Sequence, residues 1–190
     1  MSDEETQIKI AISGKSGCGN STTSRRVAAL LGFPMINYTF HTIADERNMD
    51  FQEVCRLAEQ DSSWDLYVDR RQIEMAHEAG NCVLGSRLAI WILEEADLTV
   101  YLTAPTHIRA ERIHRREGGE YERVARETEE RDRRDHERYM RLYGIDNDDY
   151  AFCDLIIDTT NLPPEAVADH IVTEVRRRFY RNDSAGTSQV

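Results

Sequence analysis

A glycine-rich segment directly after an apolar stretch constrains the fold of this chain most strongly. Residues 8–12 read IKIAI, and residues 13–22 read SGKSGCGNST. The segment nearly matches the phosphate-binding pattern G-x-x-x-x-G-K-[ST], in which glycines permit a tight turn and successive backbone N–H groups enclose an anion. A helix that starts at such a turn adds the partial positive charge of its N-terminus. The pattern therefore predicts a strand, an anion-binding turn and a helix over 8–31.

The segment departs from the pattern at Asn20, which stands where a lysine normally neutralises the β- and γ-phosphates of a nucleotide. Lys15 is the nearest alternative cation, and its early position resembles the deviant phosphate loops of ParA/MinD-type ATPases. In the alternative interpretation Lys15 has no role. The lysine that is missing at position 20 is then replaced by arginines from later in the chain, or it is not replaced. We expect the Ser21 hydroxyl to hold Mg²⁺. The predicted phosphate contacts are Gly14, Lys15, Ser16, Gly17, Cys18, Gly19, Asn20, Ser21 and Thr22.

The four cysteines are far apart and match no metal-binding spacing, so we expect reduced thiols. Cys55, Cys82 and Cys153 are expected to be buried. Cys18 lies inside the glycine-rich loop at a helix start, where a thiolate would be favoured. The sequence therefore predicts that thiol-modifying reagents block nucleotide binding, unless Cys18 occupies this position without a role.

Apolar runs alternate with helical patterns along the chain, which is typical of parallel strands joined by crossover helices. We therefore predict a three-layer α/β fold with a five-stranded parallel sheet, in one domain over 7–181. Two helical regions, 38–79 and 109–143, exceed what a simple wound sheet needs, and the polar ends 1–6 and 182–190 are expected to be disordered. The predicted strands lie at 8–12, 34–36, 82–86, 98–103 and 154–158, and the predicted helices at 20–31, 50–60, 64–79, 87–94, 105–117, 120–142 and 163–180.

The charge of the chain limits its partners. A formal net charge of -11 argues against binding a nucleic-acid polymer, which needs a basic face. No stretch approaches the ~18 apolar residues of a membrane span, so we expect a cytoplasmic protein. Eleven arginines nevertheless fall within residues 109–141. Because guanidinium groups bind phosphate in bidentate fashion, this segment is a candidate site for a small anion, although a solvated helix of alternating Arg and Glu is the simpler interpretation.

Part of this arginine-rich segment matches a known pattern. Residues 131–139 read RDRRDHERY, and this R-D-x-x-D-x-x-R spacing resembles the signature of cytidylate kinases. On a helix Arg131, Asp135 and Arg138 share one face, where they could also form a simple ladder of ion pairs. Further stretches follow in the order seen in archaeal-type (d)CMP kinases. These are GNCVLGSRLAIW (80–91), ADLTVYLTAP (96–105), RAERIHRREG (109–118), YGIDNDDY (143–150) and DLIIDTTNLPPEAV (154–167).

The resemblance implies a P-loop nucleoside monophosphate kinase that transfers the γ-phosphoryl group of ATP to CMP or dCMP with Mg²⁺. Residues 38–79 would form the monophosphate-binding region and 109–135 a mobile lid, in a monomer or weak dimer. Arg87 would face the acceptor phosphate, and Arg131, Asp135 and Arg138 would contact the cytidylate. Lys15, Arg112, Arg116 and Arg131 would act in catalysis, which explains why cations rather than bases dominate this set.

The sequence also departs from this family near the acceptor. His41 stands where similar proteins tend to place an arginine, and VLGS (83–86) differs from the V-L-E-G form. His41 could contact the acceptor phosphate or could simply be a capping or packed histidine. Tyr38 and Phe40 beside it are candidates for stacking on the acceptor base. Two alternative functions stay open: a kinase for another small acceptor, and a nucleotide-binding protein with weakened catalysis.

Overall fold

A five-stranded parallel sheet forms the centre of the molecule, as the alternation of apolar runs predicts. The computed structural model describes residues 7–180, so the predicted disordered ends 1–6 and 182–190 lie outside the described residues. The strands follow the order β2-β3-β1-β4-β5 across the sheet. They span β1 (Lys9–Gly14), β2 (Met35–Ile36), β3 (Cys82–Gly85), β4 (Leu98–Thr103) and β5 (Leu155–Asp158).

Eight helices connect and cover these strands within residues 7–180. They are α1 (Asn20–Leu31), α2 (Phe40–Arg47), α3 (Phe51–Gln60), α4 (Ser63–Ala79), α5 (Ala89–Ile92), α6 (Thr106–Glu117), α7 (Tyr121–Tyr143) and α8 (Pro164–Phe179). Seven correspond to predicted helices, although α5 is only four residues long. The eighth helix, α2, was not predicted. Thr39 caps its start, and the Thr39 side chain accepts a hydrogen bond from the Thr42 N–H. None of the helices in the described part of the chain is long and apolar enough to cross a membrane.

The central strand β1 divides its side chains between the two faces of the sheet. Ile10 and Ile12 pack against α1 and α8, whereas Ala11 lies in a second cluster with residues of α4 and α5. Successive residues of a strand point to opposite faces, so one buried strand supplies both halves of the core. The sheet therefore has helices on both faces, which confirms the predicted three-layer α/β fold.

Residues 38–79 contribute a small core of their own. Tyr38, Ile43 and Val54 are buried together, and Trp64 and Tyr67 pack against them. The Tyr38 hydroxyl donates to Glu46 at 2.5 Å. Tyr38 is therefore part of the interior, and the interpretation of this side chain as a surface for base stacking is wrong.

A buried ion pair joins the two long helices of the arginine-rich segment to the glycine-rich loop. Arg109 in α6 is 3% exposed, and its Nη2 donates to Asp132 Oδ2 in α7 at 2.6 Å. The same guanidinium donates through Nη1 to the main-chain carbonyl of Ser16 at 3.1 Å. Gly17 lies directly against this region, because a Cβ there would approach the carbonyl oxygen of Arg109 to 2.7 Å at φ +87. This pair therefore positions the loop as well as the helices.

We predict that Asp132→Asn lowers the free energy of unfolding by about 3 kcal/mol, because it leaves a buried guanidinium without its counter-charge. Urea denaturation followed by circular dichroism measures this change. The matched control is Glu130→Gln on the same helix, whose carboxylate pairs with Arg133 in solvent and should contribute little. Equal effects of the two substitutions would contradict a special role for the buried pair.

Candidate active site

A cavity of about 700 Å³ lies beyond the carboxyl ends of the central strands. Ligands bind at this edge of parallel sheets, because the loops that follow the strands meet there. Its charged lining residues in the described part of the chain are Lys15, Arg87, Arg112, Arg116 and Arg131, with no carboxylate among them. In a chain of net charge -11 this concentration of positive charge favours a small anion.

The glycine-rich loop forms one wall of the cavity. All nine residues predicted to contact phosphates, 14–22, belong to the lining. The turn closes through a hydrogen bond from the Cys18 N–H to the Lys15 carbonyl at 3.1 Å, and Gly19 begins α1 with φ 93. The loop and the N-terminus of α1 thus provide an anion-binding backbone of the predicted kind.

Asn20, at the position of the missing lysine, makes structural contacts. Its Nδ2 donates to the Ser86 carbonyl at 3.1 Å, and its Oδ1 accepts from the Ser24 hydroxyl at 3.0 Å. Both ends of the amide are therefore engaged within the protein. Asn20 links the start of α1 to the residue after β3, and it adds no charge to the cavity.

Lys15 pairs with a carboxylate on a neighbouring turn. Its Nζ lies 2.5 Å from Asp148 Oδ1, in the turn that follows α7. Lys15 also lines a small adjoining pocket together with Arg87 and Asp135. Its ammonium group therefore lies beside the loop at the edge of the cavity, and contact with a phosphate there would compete with Asp148.

The three arginines predicted to act in catalysis all line the cavity, but they differ in how they are held. Arg112 donates to the Thr159 carbonyl at 2.5 Å and to the Thr159 hydroxyl at 2.9 Å, after β5. Arg131 donates to the Ser16 hydroxyl at 3.2 Å. Arg116 contacts only Glu117 among the described residues and is largely exposed. Two of the three guanidinium groups are thus fixed beside the loop, and the third remains at the solvent edge.

Three of the predicted acceptor residues, Arg87, Asp135 and Arg138, form a chain of alternating charges. Arg87 Nη1 donates to Asp135 Oδ2 at 2.6 Å, and Arg138 Nη2 donates to Asp135 Oδ1 at 3.1 Å. Arg138 continues to Asp65 of α4 at 3.3 Å. Burial raises the pKa of Asp65, and the neighbouring Arg138 opposes this shift. Arg87 faces the cavity, and Asp135 lies behind Arg87. Arg138 lies outside the cavity lining, where it connects Asp135 to Asp65 of α4.

His41 lies away from these groups. Its ring stacks on Phe51 with centroids 3.6 Å apart, and it is not part of the cavity lining. The geometry favours the packed histidine that the sequence left open as an alternative.

The expectation of a reactive thiolate at Cys18 is wrong. Its side chain is 3% exposed and packs in the core below the loop. Burial raises the pKa of the Cys18 thiol to about 11, although Arg109 and Arg112 partly oppose the shift. Cys82 is buried as expected, whereas Cys55 and Cys153 are only partly buried.

Several polar residues of the cavity were not predicted from the sequence: Asn37, Thr39, Gln72 and Thr159. Asn37 directly follows β2 and Thr159 directly follows β5. The general rule that ligands bind beyond the carboxyl ends of parallel strands could have identified both. Gln72 lies in the middle of α4, where no local pattern distinguishes it from other helical residues.

A divalent cation fits this cavity only in company with an anionic ligand. Ser21 offers an exposed hydroxyl at the start of α1. Because no carboxylate lines the described cavity, an Mg²⁺ ion held by Ser21 would need phosphate oxygens for its remaining charged ligands.

Solved structures with a similar fold are P-loop kinases. A shikimate kinase from Bacteroides thetaiotaomicron has a TM-score of 0.59 at 15% identity and covers 90% of this chain and 96% of its own. A deoxyadenosine kinase from M. mycoides, solved with bound dATP, has a TM-score of 0.54 at 17% identity and covers 89% of this chain and 100% of its own. At these identities the similarity establishes the fold alone, and it confirms the predicted P-loop kinase architecture.

Sequence comparison is more specific. "Cytidylate kinase 2" of Borrelia garinii subsp. bavariensis is 47% identical over 179 residues, which cover 92% of this chain and 100% of the relative. "Cytidylate kinase" of Pyrococcus furiosus is 42% identical over 162 residues, which cover 84% of each chain. The model of the cytidylate kinase-like family matches residues 9–161. Together with the loop and the arginine-lined cavity, these matches establish that the chain belongs to the cytidylate kinase-like family.

Proposed function

We propose that this protein transfers the γ-phosphoryl group of ATP to CMP or dCMP, giving ADP and CDP or dCDP. The observation that carries the proposal is a cavity of about 700 Å³ whose lining, within residues 7–180, combines the glycine-rich loop with four arginines and no carboxylate. The relatives named cytidylate kinase indicate the acceptor. Two nucleotides bring several phosphate groups close together, so a site that joins them needs this excess of positive charge.

The donor phosphates are assigned to the glycine-rich loop. The backbone N–H groups of residues 14–22 and the N-terminus of α1 bind them without the entropic cost of ordering flexible side chains. Ser21 would hold Mg²⁺ jointly with the phosphates, and the ion would neutralise charge on their oxygens. Asn20 supports this wall from behind through its bond to the Ser86 carbonyl.

The side chains of the cavity supply positioning and charge neutralisation, which account for most of the catalysis of phosphoryl transfer. Arg112 and Arg131 are held against Thr159 and Ser16, so they reach the transferred group with little reorganisation. Lys15 adds a cation when it leaves Asp148. Arg116 adds one from the solvent edge.

The acceptor is assigned to the side of the cavity formed with residues 38–79, the proposed monophosphate-binding region. Arg87 binds the acceptor phosphate, while Asp135 orients this guanidinium at 2.6 Å. Asp135 lies behind Arg87 and is bonded on its other oxygen to Arg138, so it acts by positioning the guanidinium that meets the acceptor. Arg138, held between Asp135 and Asp65, fixes that carboxylate relative to α4.

The proposed lid, 109–135, is anchored at its base. Arg109 is buried against the loop and its partner Asp132 is half-buried, whereas Arg116 and the Gly118–Gly119 turn are exposed. Movement of this turn toward the cavity brings Arg116 to the phosphates and excludes water, which limits wasteful hydrolysis of ATP.

The proposed activity is tested by incubating the purified protein with ATP, Mg²⁺ and one nucleoside monophosphate at a time, and measuring ADP release. We expect release that depends on CMP or dCMP and exceeds that with UMP, AMP or GMP. Selective release with a different acceptor would support a kinase for another substrate. ATP binding without acceptor-dependent release from any monophosphate would contradict the proposed kinase activity and would favour a nucleotide-binding protein.

We further predict that Lys15→Met lowers kcat about 10²-fold, because one cation near the transferred phosphoryl group is lost. The chain contains one other lysine, Lys9, at the opposite end of β1. Lys9→Met is therefore the matched control, and it should leave kcat unchanged. Full activity of Lys15→Met would show that the arginines alone supply the charge that Asn20 lacks.

A further inference from the structure

Gln72 of α4 has an unusual environment on the wall of the cavity. Its side chain is 4% exposed, and its Nε2 donates to the main-chain carbonyl of Tyr38 at 2.8 Å. Only the amide NH₂ can donate to a carbonyl, so this bond fixes which end of the amide faces which way. The opposite atom, Oε1, is buried and has no hydrogen-bond partner in the described part of the chain.

A buried acceptor without a donor destabilises the folded protein, and proteins retain few such atoms. Gln72 belongs to the cavity lining, but Oε1 itself is covered in this structure, so a ligand that supplies the missing donor must displace the atoms that cover it. Because Oε1 is an acceptor, it selects a ligand that presents an N–H or O–H group at this position. Oε1 would repel an acceptor atom of a ligand at this position, and neither of these two acceptors would then have a hydrogen-bond donor.

Gln72 lies in a part of the cavity that suits a base better than a phosphate. It is tied to the segment after β2, which lies two strands from β1 and hence about 10 Å from the phosphate loop. Asn37 and Thr39 on the same side of the cavity are also uncharged. The cations lie instead on the loop, after β3 and on α6 and α7. The cavity therefore has a cationic part that suits phosphates and an uncharged polar part that suits a base.

We propose that Gln72 Oε1 accepts a hydrogen bond from the exocyclic amino group of the acceptor base and so selects cytosine over uracil. This inference rests on the proposed function and extends it to the recognition of the base. Cytosine carries an amino donor at position 4, where uracil carries a carbonyl acceptor. The bond to the Tyr38 carbonyl holds the amide in the orientation that makes this distinction.

The amino group itself is tested with the 5′-monophosphate of pyrimidin-2-one riboside, which equals CMP without the 4-amino group. With the unaltered protein, kcat/KM should fall about 10- to 100-fold from CMP to this analogue, and mainly through KM. The kcat/KM for UMP should be equal to or lower than that for the analogue. Equal kcat/KM for CMP and the analogue would overturn the proposal, because Oε1 would then be satisfied by water or by nothing.

The residue is tested with Gln72→Met, which keeps the length of the side chain and removes the acceptor. We expect kcat/KM for CMP to fall to the value for the analogue, so that the ratio of the two kcat/KM values approaches one. If Gln72 had a purely structural role, Gln72→Met would instead lower kcat/KM for CMP and for the analogue by the same factor. The ratio of the two kcat/KM values would then be unchanged. Preserved discrimination in Gln72→Met would overturn the assignment.

Tyr38→Phe provides the matched control. It removes the hydroxyl that donates to Glu46 but leaves the Tyr38 carbonyl and Gln72 in place. In this variant the ratio of kcat/KM for CMP to kcat/KM for the analogue should equal that of the unaltered protein. A ratio close to one in Tyr38→Phe would overturn the assignment to Gln72. Failure of the proposed function would give a different result from failure of base recognition alone. CMP would then give no acceptor-dependent ADP release in the unaltered protein or in any variant, and the base-recognition proposal would be overturned as well.

Discussion

The buried ion pair between Arg109 and Asp132 fixes the geometry on which the cavity depends. One guanidinium bonds to the carboxylate of α7, to the Ser16 carbonyl of the loop and to the Ala104 carbonyl after β4. A buried arginine is stable only when its charge and its donors are satisfied, so the pair holds these elements in one arrangement. The same pair holds the base of the proposed lid against the loop, whereas Gly118 and Gly119 at its other end are exposed.

Charge is distributed unevenly in this molecule. The chain carries a net charge of -11, yet the described lining of the cavity contains five cationic side chains and no carboxylate. Two acids beside the lining pair with its cations, Asp135 with Arg87 and Asp148 with Lys15. The acidic surface and the cationic cavity are thus compatible, because the acids that approach the site are already paired and repel a bound phosphate less than free carboxylates would.

Local sequence patterns predicted the sheet and the phosphate loop, because both depend on residues that are neighbours in the chain. The same patterns missed α2, which has only two buried residues, and could not show that Arg109 pairs with Asp132 across 23 positions. They also failed for Cys18. A helix start favours a thiolate only when the thiol reaches the anion site, and here the side chain turns into the core.

Asn20 shows how the loop functions without its usual lysine. The asparagine amide joins α1 to the residue after β3, a contact that requires a donor and an acceptor on one short side chain. A lysine could donate to the Ser86 carbonyl but could not accept from Ser24. Asn20 therefore joins two elements of the wall, and in the proposed mechanism charge neutralisation falls to Lys15, Arg112 and Arg131. Because Lys15 is paired with Asp148, its proposed role requires that a phosphate compete with this carboxylate for the ammonium group.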